Sequence, residues 1–279
     1  MSAGHLRDNK KTVGITNTST TRRVLAVVGL SIGTIAALLL VLVGVQLLSI
    51  PVAWLAGHSV AIAAVGVFSV VLAILSVWLW HGRRPAWNRI GLTLDRRTAV
   101  QFGAGMGLAG LIAVAGALAV SLLGEAPWNG GEQMTAWLLA LPVSLVTALM
   151  VQAFPEELLF RGHLQERLTR WLGPMAVVGV SALAFGAIHV ISAGPQNAVE
   201  QLYLVLQAIA FGFACAATRW YSGTIWIAVG LHGGFHIWRG LLVPAETVVT
   251  LTGTVTAIAG YVLVGVLFLR RGRATSTNT

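Results

Sequence analysis

Long apolar runs alternate with short polar stretches along this chain. Eight segments are apolar over about a membrane's thickness: roughly 24–49, 59–80, 99–123, 134–159, 174–193, 201–219, 223–241 and 247–269. Crossing the hydrocarbon core as a helix takes about 20 apolar residues. The pattern therefore predicts an all-α, polytopic membrane protein of about eight transmembrane helices. The fourth and seventh segments differ from the rest, because each carries polar residues inside its apolar run. Residues 1–23 are polar and are expected to form a disordered tail, and the first helix is expected to remain as an anchor.

Composition supports this class. Hydrophobic residues make up 56% of the chain and charged residues only 10%, whereas soluble domains carry about a quarter of charged residues. The net charge of +9 does not imply a nucleic-acid partner, since the basic residues are spread between apolar segments and are not gathered on one element. Their distribution instead sets an orientation. With the N-terminus inside, 17 of the 18 Lys and Arg residues fall on the cytoplasmic side and only Arg239 outside. Both termini are thus expected in the cytoplasm, with Glu125, Glu132, Glu200 and Glu246 in outer loops. The chain divides into a tail (1–23), helices one to three (24–123), a core of helices four to seven (124–241), and a last helix with a basic tail (242–279). Cys215 lies in an apolar run and reads as packing. The absence of an internal repeat disfavours a secondary transporter.

Ionisable groups inside a bilayer cost at least a few kcal/mol, so they mark function by default. Here they concentrate in three segments: Glu156, Glu157 and Arg161 in "AFPEELLFRGHLQER", His189 in "AFGAIHV", and His232 and His236 in "GLHGGFHIW". Glu157 and Arg161 are four apart with the acid first, the favourable order for an intrahelical pair. Glu156 lies about 100° round the helix, which leaves it free to accept a proton. Pro155 removes a backbone hydrogen bond beside the pair. Phe185 and His189 share a helical face, as do His232 and His236, and Gly233 and Gly234 leave room for close approach. His163 and Arg167 read as solvated or lipid-facing, and His58 and His81 as loop residues without a signal.

The order E-E-x-x-x-R (Glu156, Glu157, Arg161), F-x-x-x-H (Phe185, His189), H-x-x-x-polar (His232, His236) in successive membrane segments resembles the CPBP family of intramembrane proteases. That family includes the type II CAAX prenyl endopeptidases and bacterial proteins linked to bacteriocin self-immunity. The resemblance covers roughly residues 134–240. It implies that Glu156, assisted by His189, activates a water for attack on a peptide carbonyl, and that His232 and the residue four later stabilise the oxyanion. The family commonly has Asn at that last position. Histidine here can donate, accept or bind metal.

The implied activity is an endopeptidase acting on a membrane-associated protein or peptide, lipid-modified or not, with the bilayer as its other partner and a bacterial plasma membrane as its location. A catalytically inactive immunity or accessory protein and a proton-coupled carrier are the alternatives. Family members have been called metalloproteases, and Glu156, His189, His232 and His236 would be the zinc ligands. No H-E-x-x-H is present, so the reading favours a glutamate-dependent hydrolase with no obligatory cofactor. One condition attaches to a single site. At 1.5 Å per residue, His189 and His232 fall about 14 to 22 Å deep, while Glu156 lies near the cytoplasmic end of segment 134–159. The fourth helix must continue past Arg161 and tilt, or residues 161–172 must be drawn into the protein.

Overall fold

The computed structural model describes residues 5–56, 58–81, 86–125, 130–191, 197–242 and 250–276. Side chains at 5–19, 55–59, 130–134, 136 and 273–276 are not among them, which leaves out the side chains of His58 and Glu132, and the expectation for Glu246 lies outside the described residues. The described residues form helices and connecting turns, with no strand. We label them α1 (His5–Ala56), α2 (His58–Trp80), α3 (Trp87–Ile90) and α4 (Thr98–Leu122). A continuous helix, α5, follows, made of Gly130–Leu145, Val146–Ala153, Phe154–Glu157, Leu158–Leu164 and Gln165–Leu168. Then come α6 (Pro174–Ile188), which ends in a 3-10 turn His189–Ile191, α7 (Ala198–Ser222), α8 (Trp226–Leu242) and α9 (Leu251–Ser276).

Seven of these carry stretches long and apolar enough to cross a membrane: Thr20–Trp54, Val60–Trp80, Thr98–Leu122, Trp137–Leu168, Pro174–Ile191, Ala198–Ser222 and Leu251–Gly272. The chain is an all-α polytopic membrane protein. The remaining expected segment is α8, which has 17 residues and is the most enclosed helix, with Ile227 to Gly234 all buried. A helix surrounded by protein needs no full-length lipid-facing stripe.

The fourth expected segment is longer than its hydropathy indicates. Its span runs to Leu168, nine residues beyond the boundary drawn at 159, because the polar residues after Arg161 stay within the bundle. Two π-helical stretches, Val146–Ala153 and Leu158–Leu164, flank the turn that holds Pro155 and both glutamates. Widened turns of this kind recur at functional sites. They also accommodate a proline whose missing N–H would break a regular i to i−4 ladder.

Close helix packing rests on particular glycines. A Cβ on Gly230 of α8 would strike the carbonyl of Phe102 in α4, and one on Gly105 would strike the carbonyl of Ile227. The two backbones touch there, as small residues allow in membrane bundles. The G-x-x-x-G formed by Gly103 and Gly107 takes no part: both positions face open space. Gly233 packs on Leu149 and Ala153 of α5, and Gly234 on Ala109 and Met106 of α4. The expectation of close approach at this pair is met by helices on both sides.

Candidate active site

Glu157 is fully buried, and a lone carboxylate there would be prohibitively costly. It has two partners. Arg161 Nε lies 3.1 Å from Oε2, the i, i+4 pair read from the sequence. From the other side, His232 Nδ1 lies 2.8 Å from Oε1. A carboxylate held by an arginine offers only lone pairs, so the ring donates its Nδ1–H. Arg161 is itself fully buried. It donates from Nη2 to the Gly212 carbonyl at 3.2 Å, and its guanidinium lies 4.4 Å from the Phe185 ring centroid.

With Nδ1 committed to Glu157, the Nε2 edge of His232 faces Glu156, whose Oε2 is 3.9 Å away. Glu156 is not sealed in: its side chain is 15% exposed, against 0% for Glu157. One imidazole therefore separates a closed carboxylate from an accessible one. The depth condition is met, because α5 continues through Leu168 and carries Glu156 about 18 Å from its end.

His189 caps the end of α6, and its Nδ1 donates to the Phe185 carbonyl at 2.8 Å. Gln201 of α7 donates to the His189 carbonyl at 2.5 Å, fixing the turn. Nε2 is the other ring nitrogen of His189. Phe185 joins the two histidines, with ring centroids 4.9 Å from His189 and 5.8 Å from His232. His236, one turn beyond His232, stacks on it with centroids 5.3 Å apart and planes 25° apart. Phe211 packs edge-on against His232 at 5.0 Å. Thus all four histidine and glutamate candidates, with Glu157, Arg161 and Phe185, come from α5, α6 and α8 into one neighbourhood.

As placed, the donors do not fit a zinc site. The two nitrogens of His232 serve two different carboxylates, His189 Nδ1 is engaged by a carbonyl, and among the described residues no three His, Cys, Asp or Glu side chains are grouped to hold a metal ion.

The reading of His163, Arg167 and His81 is corrected. His163 is fully buried, with its Nδ1 3.3 Å from His81 Nδ1 and its ring 4.5 Å from Trp80. Arg167 donates to the Trp80 carbonyl at 3.1 Å. Glu166 approaches His81 at 3.5 Å, Arg170 at 3.7 Å and Arg89 at 4.0 Å. These residues turn inward because α5 remains a buried helix where its polarity suggested exit into solvent. The bond between Glu157 and His232 had no signal in the sequence: 75 residues separate the partners.

Residues 137–238 match the family model described as type II CAAX prenyl endopeptidase Rce1-like. The match runs from Trp137 in α5 to Trp238 in α8 and includes every candidate site residue. It agrees with the family that the three motifs resemble. No curated protein sequence matches the chain.

Proposed function

We propose that the chain is an intramembrane endopeptidase that hydrolyses a peptide bond in a membrane-associated protein or peptide, with Glu156 as general base. The supporting observation is the placement of His232 between Glu157 and Glu156, 2.8 Å from one and 3.9 Å from the other. In this reading a water lies between Glu156 and Nε2 of His189. Glu156 takes its proton as the oxygen attacks the carbonyl carbon, and returns it to the amide nitrogen as the C–N bond breaks. His232 donates Nδ1–H to Glu157 and, when it carries a second proton, Nε2–H to the developing oxyanion. The Glu157 carboxylate balances that charge in a region where few waters could. His236 supports the ring of His232 by stacking where the family commonly has Asn. The protein acts in a cell membrane, on the reading of a bacterial plasma membrane, without an obligatory cofactor. Mapping new protein termini in membranes from cells with wild-type protein and with Glu156→Gln tests this. Peptides that require the carboxylate support it, and an unchanged set of termini supports an inactive accessory role.

A further inference from the structure

The three sequence motifs lie on α5, α6 and α8, yet a fourth helix holds the groups they supply. The Gly212 carbonyl of α7 accepts from Arg161 Nη2 at 3.2 Å, and Phe211 sets its edge against His232, with ring centroids 5.0 Å apart. α7 also lies hard against α6. A Cβ on Gly186 would strike the side chain of Ile209, and one on Gly212 would press on the Ala182 backbone and Phe185. These contacts pair later residues of α6 with earlier residues of α7. The two helices are therefore antiparallel, and the start of α7 comes beside the end of α6.

That start is fixed by its own cap. Asn197 Oδ1 accepts from the N–H groups of Val199 and Glu200, each at 3.0 Å, and the Asn197 carbonyl takes the Gln201 N–H at 3.0 Å. Side chains on a helix lean toward its N-terminus. From this first turn Gln201 reaches back and donates its side-chain amide N–H to the His189 carbonyl at 2.5 Å. The last carbonyls of a helix have no partner within it, and α6 stops at Ile188, so Gln201 supplies a donor that the helix itself lacks. At the same residue the ring closes back on α6, its Nδ1–H donating to the Phe185 carbonyl at 2.8 Å. A carbonyl only accepts, so in the neutral ring the proton sits on Nδ1 and Nε2 carries the lone pair. His189 is thus gripped through its backbone by α7 and through its ring by α6.

We infer that Gln201 is a positioning residue for His189: its amide holds the His189 carbonyl in the 3-10 turn, which keeps Nδ1–H on Phe185 and directs the lone pair of Nε2 to the water beside Glu156. Only the last of these steps rests on the protease reading. The bond made by one ring nitrogen sets what the other can do. Without the Gln201 amide the His189 carbonyl must find another donor, the turn relaxes, and the ring can take the Nε2–H form, in which Nε2 no longer accepts a proton.

Nitrogen-15 magic-angle-spinning NMR of the full chain in lipid bilayers, with labelled histidine, tests this, and His189→Gln identifies the His189 signals by their loss. Gln201→Met removes the amide at nearly constant side-chain length. The expected result is a protonated Nδ1 on His189 in the wild type and a signal displaced or split toward the Nε2–H form in Gln201→Met. In cleavage of a peptide identified from wild-type membranes, Gln201→Met is expected to lower kcat about tenfold with KM unchanged. In a His189→Gln background it should cost nothing more, because it acts through that ring. An unchanged His189 signal in a folded Gln201→Met protein overturns the inference, as does a loss of kcat that persists undiminished in the His189→Gln background. If Gln201→Met does not accumulate, Gln201→Leu takes its place. The spectrum requires no catalysis, so a displaced His189 signal in a chain that cleaves nothing contradicts only the proposed function. A working protease whose His189 signal and kcat ignore Gln201→Met contradicts only the positioning role.

Discussion

His232 donates its Nδ1–H to Oε1 of Glu157 across 2.8 Å, and this bond joins α8 to the buried ion pair of α5. Arg161, Glu157 and His232 form one chain of charge-assisted contacts, each partner supplying what the other's burial demands. Breaking a buried pair by removing one member strands the other and costs about 3–5 kcal/mol. Arg161→Met is therefore expected to lower the melting temperature of the detergent-solubilised protein strongly. The double variant Arg161→Met with Glu157→Gln should recover much of that loss, because it leaves no charge stranded. A double variant as unstable as the sum of its parts would mean the pair is not the unit described.

The crossing of α4 and α8 makes a prediction that the sequence motif would misplace. Gly230→Ala brings a methyl onto the Phe102 carbonyl, where no side-chain rotation gives relief, so α8 must shift and carry His232 away from Glu156. Lower thermal stability and lower activity should appear together. Gly103→Ala points into open space and should be neutral or stabilising by up to about 1 kcal/mol, since Ala is the better helix former. Thermal melts of the two variants side by side distinguish the geometry from the G-x-x-x-G pattern.

His236 stacks on His232 without a carboxylate of its own within the described contacts. His236→Ala is expected to reduce turnover by removing the face that steadies the ring. His236→Asn, which restores the family's usual residue, should retain more activity than His236→Ala. Equal activity of the two would assign His236 to packing alone.

Removal of metal is expected to leave activity in place. Dialysis of the purified protein against a chelator, followed by metal quantification and a cleavage assay, checks this. Stoichiometric zinc whose loss abolishes cleavage and whose return restores it would replace the glutamate-only reading.

Much of this was legible in residue order. The apolar runs gave the helices, since a bilayer imposes a length and forbids unpaired backbone. The i, i+4 spacing gave the Glu157–Arg161 pair, and the three motifs gave the membership of the site. What the sequence hid depends on long-range packing. The end of α5 was misplaced because Arg161, His163 and Arg167 look like an exit from the membrane. In the fold their partners are the Gly212 and Trp80 carbonyls and His81, contacts between residues at least 51 apart. The α4–α8 contact was hidden for a similar reason: which glycine touches a neighbour depends on helix rotation, and composition rich in Gly and Ala does not encode that.

The central claim is that Glu156 is the base and Glu157 is not. The direct measurement is cleavage of a substrate peptide, first identified by its terminus in wild-type membranes, by purified Glu156→Gln protein with its melting temperature recorded alongside. The account predicts a loss of about 10²–10⁴-fold in turnover with near wild-type stability, because Glu156 lies outside the buried ion pair. Turnover close to wild type in a folded Glu156→Gln protein would contradict it.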